Sequence, residues 1–572
     1  MQKQWIAKSL PAAADTALLQ DALNVPAAIA KLLMQRGIHS FNQARSFFRP
    51  VMDMLHDPFL MKDMDKAVNR LTTALHNNEK ILVYGDYDVD GTTSVTVVFS
   101  FLKSMGAQCD YYIPDRYTEG YGFSHLGVQY AHEHGFKLII TLDCGIKDAD
   151  KVKRAAELGI DVIICDHHQP GILPQAVAVL DTLREDCTYP YKGLSGCGVG
   201  FKLLQGFARQ QGLDEEILND YLDLVTIAIG ADIVPMTGEN RILAYHGMQQ
   251  LQTQKRPGIQ AMLDQSAFKK KKLTIADVVF ILAPRINAAG RIYSGRQAVE
   301  LLLAPTLEEA AKLSPALESN NNTRRDLDKA ITNEAIQFVD NEIFYQTSYT
   351  TVVSGRQWHK GVVGIVASRL VETYYKPAIV LVESDEKMAG SARSIPGIDL
   401  FEALGECSDL LEQFGGHTMA AGLSLKPENF EPFRQKFDTV VARLLNHKRP
   451  EPCITYDLEM NGTEVDAKFY RLLSQFAPFG PENMRPLFLM RGLVNAGNSR
   501  RVGDTGTHLK MHLKQSGPEA PALDGIGFDL GNWAPHLAAG KAVDILFNLE
   551  ENEFNGRTTL QLNVKDIRAS EG

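Results

Sequence analysis

The chain has 572 residues, 45% of them apolar and 22% charged, a profile that excludes disorder as the main state and, at ~150 residues per domain, predicts three to four domains. Its 59 Lys and Arg against 69 Asp and Glu leave a formal charge of −10, so bulk basicity is excluded as the means of holding nucleic acid, although a local basic groove is not. Seven cysteines without a CxxC pair exclude a disulfide framework and a structural zinc site, and the lack of any run of about 18 apolar residues predicts a cytoplasmic chain, neither exported nor membrane-spanning.

Residues 1–60 mix short amphipathic stretches with Pro11, Pro26, Pro50 and Pro58, and read as small helices flanking a first domain at 61–305. In that domain ILVYG (81–85), KLIITL (137–142), DVIIC (161–165) and LVTIAIGA (224–231) are near-continuous, β-branched-rich runs. Such runs suit strands of a parallel sheet covered on both faces. Helical stretches at 92–106 and 147–159 separate the first three, which predicts right-handed crossovers and one doubly wound α/β sheet. Residues 306–345 read as a long connecting helix, apolar at helical spacing through Leu313, Leu317, Leu327 and Ile331, whose SNNNTRR centre (319–325) reads as a solvated face ahead of a polar contact with the neighbouring domain. A second α/β unit follows at 346–450 and contains a glycine-rich turn, FGGHTMAAG (414–422). From 451 to 572 the pattern is all-β, consistent with an OB-type barrel, and Asn555-Gly556 between alternating strands is a hairpin signal.

All four apolar runs of the first domain lead into aspartate. The first enters GDYDVDGTTS with Asp86, Asp88 and Asp90, and the second ends at Asp143. The third ends at Asp166-His167-His168 and the fourth at Asp232. One such aspartate alone reads as a loop or helix-cap residue; four successive acidic strand ends do not. The carboxyl ends of parallel strands share one edge, where α/β proteins bind ligands. Carboxylates within ~5 Å repel one another and raise each other's pKa unless a cation lies between them. Carboxylates with imidazole favour Mn²⁺ or Mg²⁺ over a thiolate zinc site, as one ion or as two bridged by a shared carboxylate. Two such ions ~3.5–4 Å apart clamp phosphoryl oxygens, which points to hydrolysis of a phosphoester or phosphoanhydride. The absence of GKS or GKT excludes an ATP-binding P-loop.

GDYDVDGTTS, TLDCGI, DHH and GADIVPM, in this order, resemble the DHH phosphoesterase superfamily. PDRYTEGYGF (114–123), PRINAAGR (284–291), WHKGVVGIVASRL (358–370), GSARSIPG (390–397) and FGGHTMAAG resemble the bacterial single-stranded-DNA exonucleases within it. The resemblance implies a DHH domain, a connecting helix, a DHHA1-type domain and an OB-type nucleic-acid-binding domain. It implies Asp88, Asp90, Asp143, His167 and Asp232 as metal ligands, with Asp143 bridging. His168 becomes a ligand or a polariser of the phosphate, and Asp166 the group that orients an imidazole. Tyr84 stands where many members carry a metal-binding histidine, so water or Asp86 fills that place.

Arg116, Arg285, Asn287, Arg291, Ser391, Arg393, Gly416 and His417 lie in segments that the resemblance assigns to DNA and phosphate, arginine because its planar fork matches phosphate oxygens. Arg116, Ser391 and Arg393 are expected to form a 5′-phosphate pocket, with His417 lining the cleft between the domains. Tyr117, Tyr121 and Phe123 are candidates for stacking on bases. In the β segment Arg500, Arg501, Lys510, Lys514, Phe528 and Trp533 are weaker candidates for strand contact.

The activity so implied is metal-dependent hydrolysis of single-stranded DNA from its 5′ end to mononucleotides, in recombination and repair. The implied partners are a 5′-ended single strand, a single-strand-binding protein and a helicase, with the chain a monomer. One rival is a DHH phosphoesterase on short RNA, cyclic dinucleotides or pyrophosphate, which has no need of the 451–572 segment. The other is an inactive single-strand-binding scaffold, against which stands the intact acidic set.

Overall fold

The computed structural model describes residues 3–570 apart from 267, 269, 385, 516–519, 555 and 556. In the first domain β1 (Ile81–Gly85), β2 (Cys109–Tyr112), β3 (Leu138–Leu142), β4 (Asp161–Cys165) and β5 (Ala178–Leu180) pair in parallel, in the order β2-β1-β3-β4-β5. One face packs against Val95, Phe101 and Leu203, the other against Phe123, Val128 and Val152. Two covered faces explain why β1 and β3 are buried at every residue and read as unbroken apolar runs. The strand order reverses between β1 and β3, which opens a crevice at their carboxyl ends.

Helix α1 (Val89–Ser104) begins directly after β1, with Asp88 as its N-cap accepting from the Gly91 N–H at 3.1 Å. Helix α2 is Gly196–Gln210. The run 224–231, expected to be a strand, is instead helix α3 (Leu222–Ala231). Every residue from Leu222 to Gly230 is buried, so the segment is apolar on all sides and lacks the periodicity that separates a buried helix from a buried strand. Asp232 therefore arrives from the carboxyl end of a helix.

Helix α4 (Ala283–Ile292) precedes the connecting helix α5 (Leu307–Asn341), whose 35 residues span about 50 Å at 1.5 Å each. Its 319–325 centre is solvated at Ser319, Asn322, Thr323 and Arg325, while the other three residues turn inward as polar contacts. Asn321 is 3% exposed, Asn320 donates to Gln297 Oε1 at 3.0 Å, and Arg324 is half-buried. In the second domain β6 (Thr351–Gly355), β7 (Ala378–Glu383), β8 (Met388–Arg393), β9 (Gln413–His417) and β10 (Ala420–Leu425) pair in the order β9-β10-β8-β7-β6. Only β6 and β7 are parallel, joined through helix α6 (Val363–Tyr374). FGGHTMAAG is thus the β9–β10 hairpin rather than a turn alone.

The C-terminal strands 488–495, 543–554, 557–569, 523–527 and 508–515 form a ring that the pairing of Leu493 with Gln515 closes. This is a five-stranded barrel of OB type. The Asn555-Gly556 turn lies outside the described residues, but the strands on either side pair antiparallel. The N-terminal helices, expected to flank the first domain, share the barrel's core: Leu19, Ile29 and Leu33 cluster with Phe488, Leu513 and Phe547. Strand Gln4–Ala7 also pairs in parallel with Cys453–Tyr456. The seam to the first domain is closed by Arg241, which donates to the carbonyls of Phe47, Phe476 and Ala477 at 3.0, 2.8 and 3.1 Å. Among the described residues no single helix is long and apolar enough to cross a membrane.

This shared core sets an expected outcome for truncation. Deleting 451–572 alone strips the cover from the N-terminal helices and should give an aggregating chain, because large apolar patches drive association. Deleting residues 1–55 as well should restore a monodisperse protein. Size-exclusion chromatography with light scattering checks both; a well-behaved single truncation would contradict the shared core.

Candidate active site

The carboxyl ends of β1, β3 and β4 and the end of α3 meet in one place. Asp86, Asp88 and Asp143 bring carboxylate oxygens within 4.8 Å of one another; Asp90, His167 and Asp232, and likewise Asp143, His167 and His168, bring carboxylate oxygens and imidazole nitrogens equally close. His167 Nε2 lies 3.1 Å from Asp143 Oδ1, 3.5 Å from Asp232 Oδ2 and 3.7 Å from Asp90 Oδ2. Asp143 and His167 each belong to two groups, and of the two only the carboxylate, with two oxygens, has the donors to serve two cations. Asp143 adopts φ 59°, a left-handed conformation uncommon outside glycine and found where a site holds strain. Gly196 packs so closely on it that an added Cβ would sit 2.6 Å from the Asp143 Cβ. Asp90 accepts from the N–H groups of Gly196 and Cys197 at 2.6 and 2.9 Å, which ties the first turn of α1 to the positive end of α2.

Burial, and then the charges of neighbouring carboxylates, raise the pKa values of Asp86, Asp90, Asp143 and Asp232. Asp166 behaves oppositely. Burial opposes its ionisation, but the His168 imidazole at 2.7 Å lowers its pKa. His168 in turn loses by burial and gains more from Asp166, and is pushed up to about 9. His167 is lowered to about 4 by burial and by the His168 charge, which keeps it a neutral donor at neutral pH. Asp166 Oδ1 also accepts from the N–H groups of His167 and His168, and Oδ2 from that of Ile146. Asp166 therefore orients the histidine pair and does not face the other acids.

Both Asp86 oxygens, Asp143 Oδ1 and His167 Nε2 are buried and without a hydrogen-bond partner. Orphaned carboxylate oxygens around a neutral imidazole nitrogen are the donor set of a hard divalent cation, so these residues fit Mn²⁺ or Mg²⁺. Tyr84 adds nothing to that set. Its hydroxyl donates to the Gly122 carbonyl at 3.0 Å and accepts from the Ser124 N–H, on the opposite face of the sheet. Asp181, unnoticed in the sequence, follows the three-residue β5 as one more strand-end acid. It is fully buried, its Oδ2 lacks a partner, and burial with the Asp166 charge pushes it up to about 7.

Arginines border the acids. Arg291 is lowered to about 10 by burial and by Arg116, Arg324 and Arg393, and Arg393 is lowered by burial and by Arg116. Among the described residues none of these four forms an ion pair with an acid, although Asp88 acts on Arg291 and Asp328 on Arg324 from further away. Arg393 donates to Ser391 Oγ at 2.7 Å, and Arg116 lies 4.8 Å from the centre of the Tyr87 ring. Arg285 stands apart from this group, bound to Glu318 of α5 at 2.6 Å, with Asn287 half-buried on the same helix. Arg324 was hidden in a segment that reads as solvated. Exposed His417 lies on the β9–β10 hairpin, and partial burial, then the charges of Lys147 and His168, lower its pKa. Gly416, at φ 150°, permits that hairpin, since a Cβ there would meet the Ala420 carbonyl at 2.4 Å.

Of the aromatic candidates, Tyr121 is 56% exposed with its hydroxyl 3.0 Å from His168 Nε2. Tyr117 donates to the Arg291 carbonyl, and Phe123 is a core residue, 1% exposed. In the barrel, Arg500, Arg501 and Phe528 are exposed, Lys510 pairs with Arg500 on the next strand and Lys514 lies further along it, whereas Trp533 packs into the core.

Residues 80–229 match the DHH family N-terminal domain, 344–443 the DHHA1 domain and 456–566 the RecJ OB domain. The single-stranded-DNA-specific exonuclease RecJ of Bacillus subtilis is 38% identical over 556 residues, 97% of this chain and 69% of the relative. That of Escherichia coli is 35% identical, over 95% of this chain and 96% of the relative. The crystal structure of RecJ in complex with Mn²⁺ from Thermus thermophilus superposes with a TM-score of 0.84 at 28% identity, over 100% of this chain and 80% of that one. Its counterpart in complex with Mg²⁺ gives 0.79 at 27% identity, over 100% of this chain and 79% of that one. With all three domain types in the same order around the acids and the arginines, the chain belongs to the RecJ family.

Proposed function

We propose that this chain is a metal-dependent exonuclease that degrades single-stranded DNA from its 5′ end to mononucleotides, using two divalent cations, Mn²⁺ or Mg²⁺. The observation that carries the reading is the run of three adjoining ligand groups, Asp86-Asp88-Asp143, Asp143-His167-His168 and Asp90-His167-Asp232, with orphaned buried oxygens on Asp86 and Asp143. Asp86, Asp88 and Asp143 would hold one ion, and Asp90, His167 and Asp232, with Asp143 shared, the other; Asp86 thereby takes the place that Tyr84 leaves. Bound divalent cations supply polarisation of the scissile phosphate and lower the pKa of an attacking water.

The chain's own residues do the rest. Asp166 keeps His168 protonated and aimed, so an imidazolium N–H faces the site beside Tyr121 and can hydrogen-bond a phosphate oxygen as negative charge builds on it. Arg116, Ser391 and Arg393 take a terminal 5′-phosphate, and Arg291 with Arg324 neutralises phosphates further along the strand. The barrel adds a surface for the remaining strand. Use in recombination and repair with a single-strand-binding protein and a helicase, as a cytoplasmic monomer, fits this chemistry. The test is hydrolysis of 5′- and 3′-labelled oligonucleotides, single- and double-stranded, with Mn²⁺, Mg²⁺ or EDTA. Early release of the 5′ label as mononucleotide, from single strands only and not in EDTA, is expected. Early release of the 3′ label would overturn the polarity.

A further inference from the structure

We propose a second binding site for single-stranded DNA, a cationic and aromatic groove where the N-terminal strand, the 449–452 connector and the base of the second domain meet. The inference rests on the single-strand reading above but uses none of the residues of the acidic site. The groove encloses about 770 Å³. Its aromatic walls are Trp5, Tyr349, Tyr374 and Tyr375, and its cations are Lys3, Lys376, Arg449 and Arg568. Glu451 is the one acid in the lining, and it accepts from Gln4 at 2.9 Å. Four cations against one acid in the lining, even with Arg568 paired to Asp544 at 3.4 Å, is a local excess of positive charge in a chain of net charge −10. Lys3, Lys376 and Arg449 have no acid partner among the described residues. Planar rings beside such cations are what single strands bind, since any base can stack and every phosphate needs a counterion.

The groove is rigid before any ligand arrives. Trp5 donates its indole N–H to Asp566 at 2.8 Å, and the Arg568 guanidinium lies 4.2 Å from the centre of its ring. The Tyr349 and Tyr374 hydroxyls are anchored on the His447 carbonyl at 2.9 Å and Asp340 at 2.7 Å. Lys376 donates to the Tyr345 carbonyl at 2.8 Å and to Ser348 at 3.3 Å, which fixes its position and leaves one N–H free. Tyr375 ends α6 at φ 51°, a left-handed position where glycine is usual. A bulky residue kept there against its backbone preference places a ring in the groove that glycine could not supply.

Location gives the groove its role. It opens at the carboxyl end of α6, while the other end of that helix packs on the 5′-phosphate pocket: a Cβ on Gly364 would lie 2.9 Å from Arg393 Nη2. Twelve residues of helix separate the two ends by about 18 Å. A strand with its 5′ end among the acids reaches the groove only if several nucleotides follow, so the groove should act on long strands and be silent on short ones.

The test uses the full chain, with oligo-dT as the probe, and the double variant Lys3→Glu/Arg449→Glu, both exposed positions. Fluorescence anisotropy in EDTA reads binding without cleavage. Long oligo-dT is expected to bind at least about tenfold more weakly, because two cations that neutralise phosphates become repelling carboxylates. The slope of log affinity against log salt should fall by about 1.4, at about 0.7 for each of two phosphates no longer neutralised. Hydrolysis of short oligo-dT should be unchanged. Trp5 emission should be quenched by long strands, and the quench should vanish in Trp5→Phe. Reversing Lys153 and Lys272, exposed cations remote from the groove in sequence, controls for net charge. Long-strand affinity and salt slope equal to those of this control would overturn the groove. Failure of wild type to hydrolyse short strands would instead overturn the exonuclease reading, which keeps the two apart.

Discussion

Replacing Asp143 by asparagine is expected to cost more activity than the roughly 10²–10³-fold lost when a single preorganised electrostatic group is removed from an active site. The reason is geometric. Asp143 belongs to the group of Asp86 and Asp88, and its Oδ1, without a protein hydrogen-bond partner, lies 3.1 Å from His167 Nε2 of the other group, so its loss touches both proposed metal positions. Single-strand affinity measured in EDTA should be unchanged, because the arginines proposed to carry the phosphates are untouched. The substitution should also alter stability in a direction opposite to most buried changes. An acid whose folded pKa lies above its unfolded value, about 4, binds more protons in the folded state, so stability falls as pH rises from that value through the folded pKa. Asp86, Asp143 and Asp232 are all raised, so the metal-free protein should weaken from mildly acidic toward neutral pH. The asparagine variant lacks one repelling charge and should melt higher than wild type at neutral pH in EDTA. Mn²⁺, which binds the folded state, should raise the wild-type melting temperature and raise the variant's much less. Thermal melts with and without Mn²⁺, beside rates at saturating Mn²⁺, decide the matter. A rate within tenfold of wild type, or equal Mn²⁺ stabilisation of the two proteins, would remove Asp143 from the centre of the site.

What the sequence makes legible follows from which forces act locally. β1, β3 and β4 stand out because a strand buried on both faces must be apolar throughout, and each is followed at once by its acid. The same logic misplaces α3, since a helix buried on all sides is apolar throughout as well, and only tertiary packing against α1 decides its form. Asp232 is still found, because the acid after an apolar run is visible whichever element carries it. Asp181 is not, because three residues of β5 are too few to show a pattern. Arg285 and Arg291 illustrate a different limit. They share one helix and one residue type, yet α5 supplies Glu318 to the first and no acid to the second. Which arginine is free for a phosphate is set by a partner distant in sequence. The N-terminal helices fail in the same way: their apolar stripes announce that they pack, and not that a barrel more than 400 residues later is what they pack on.

Replacing Arg393 by alanine is expected to remove the advantage of a 5′-phosphorylated end while leaving 5′-hydroxyl substrates nearly unaffected. Arg393 sits at the end of β8 beside Ser391 and donates to its hydroxyl, so guanidinium and hydroxyl face a ligand as one unit. Burial and Arg116 lower its pKa, which means that the cations are crowded together at a cost to folding. A terminal phosphate relieves that crowding more than a backbone diester does, because it carries a charge of up to −2 and three accepting oxygens. A hydrogen bond to a charged group is worth roughly 1.5–3 kcal/mol, so the residue can carry a preference of roughly ten- to a hundredfold. The variant should fold at least as stably as wild type, since no acid is left unpaired by its removal. The competing account is that Arg393 neutralises backbone phosphates along the strand, as nonspecific contacts do. An end-reader changes the ratio of kcat/KM for 5′-phosphate over 5′-hydroxyl strands, whereas a backbone contact weakens both alike. An unchanged ratio with a uniform loss would move the terminal pocket to Arg116, whose guanidinium rests on the Tyr87 ring between the two acid-bearing residues that open the site, Asp86 and Asp88.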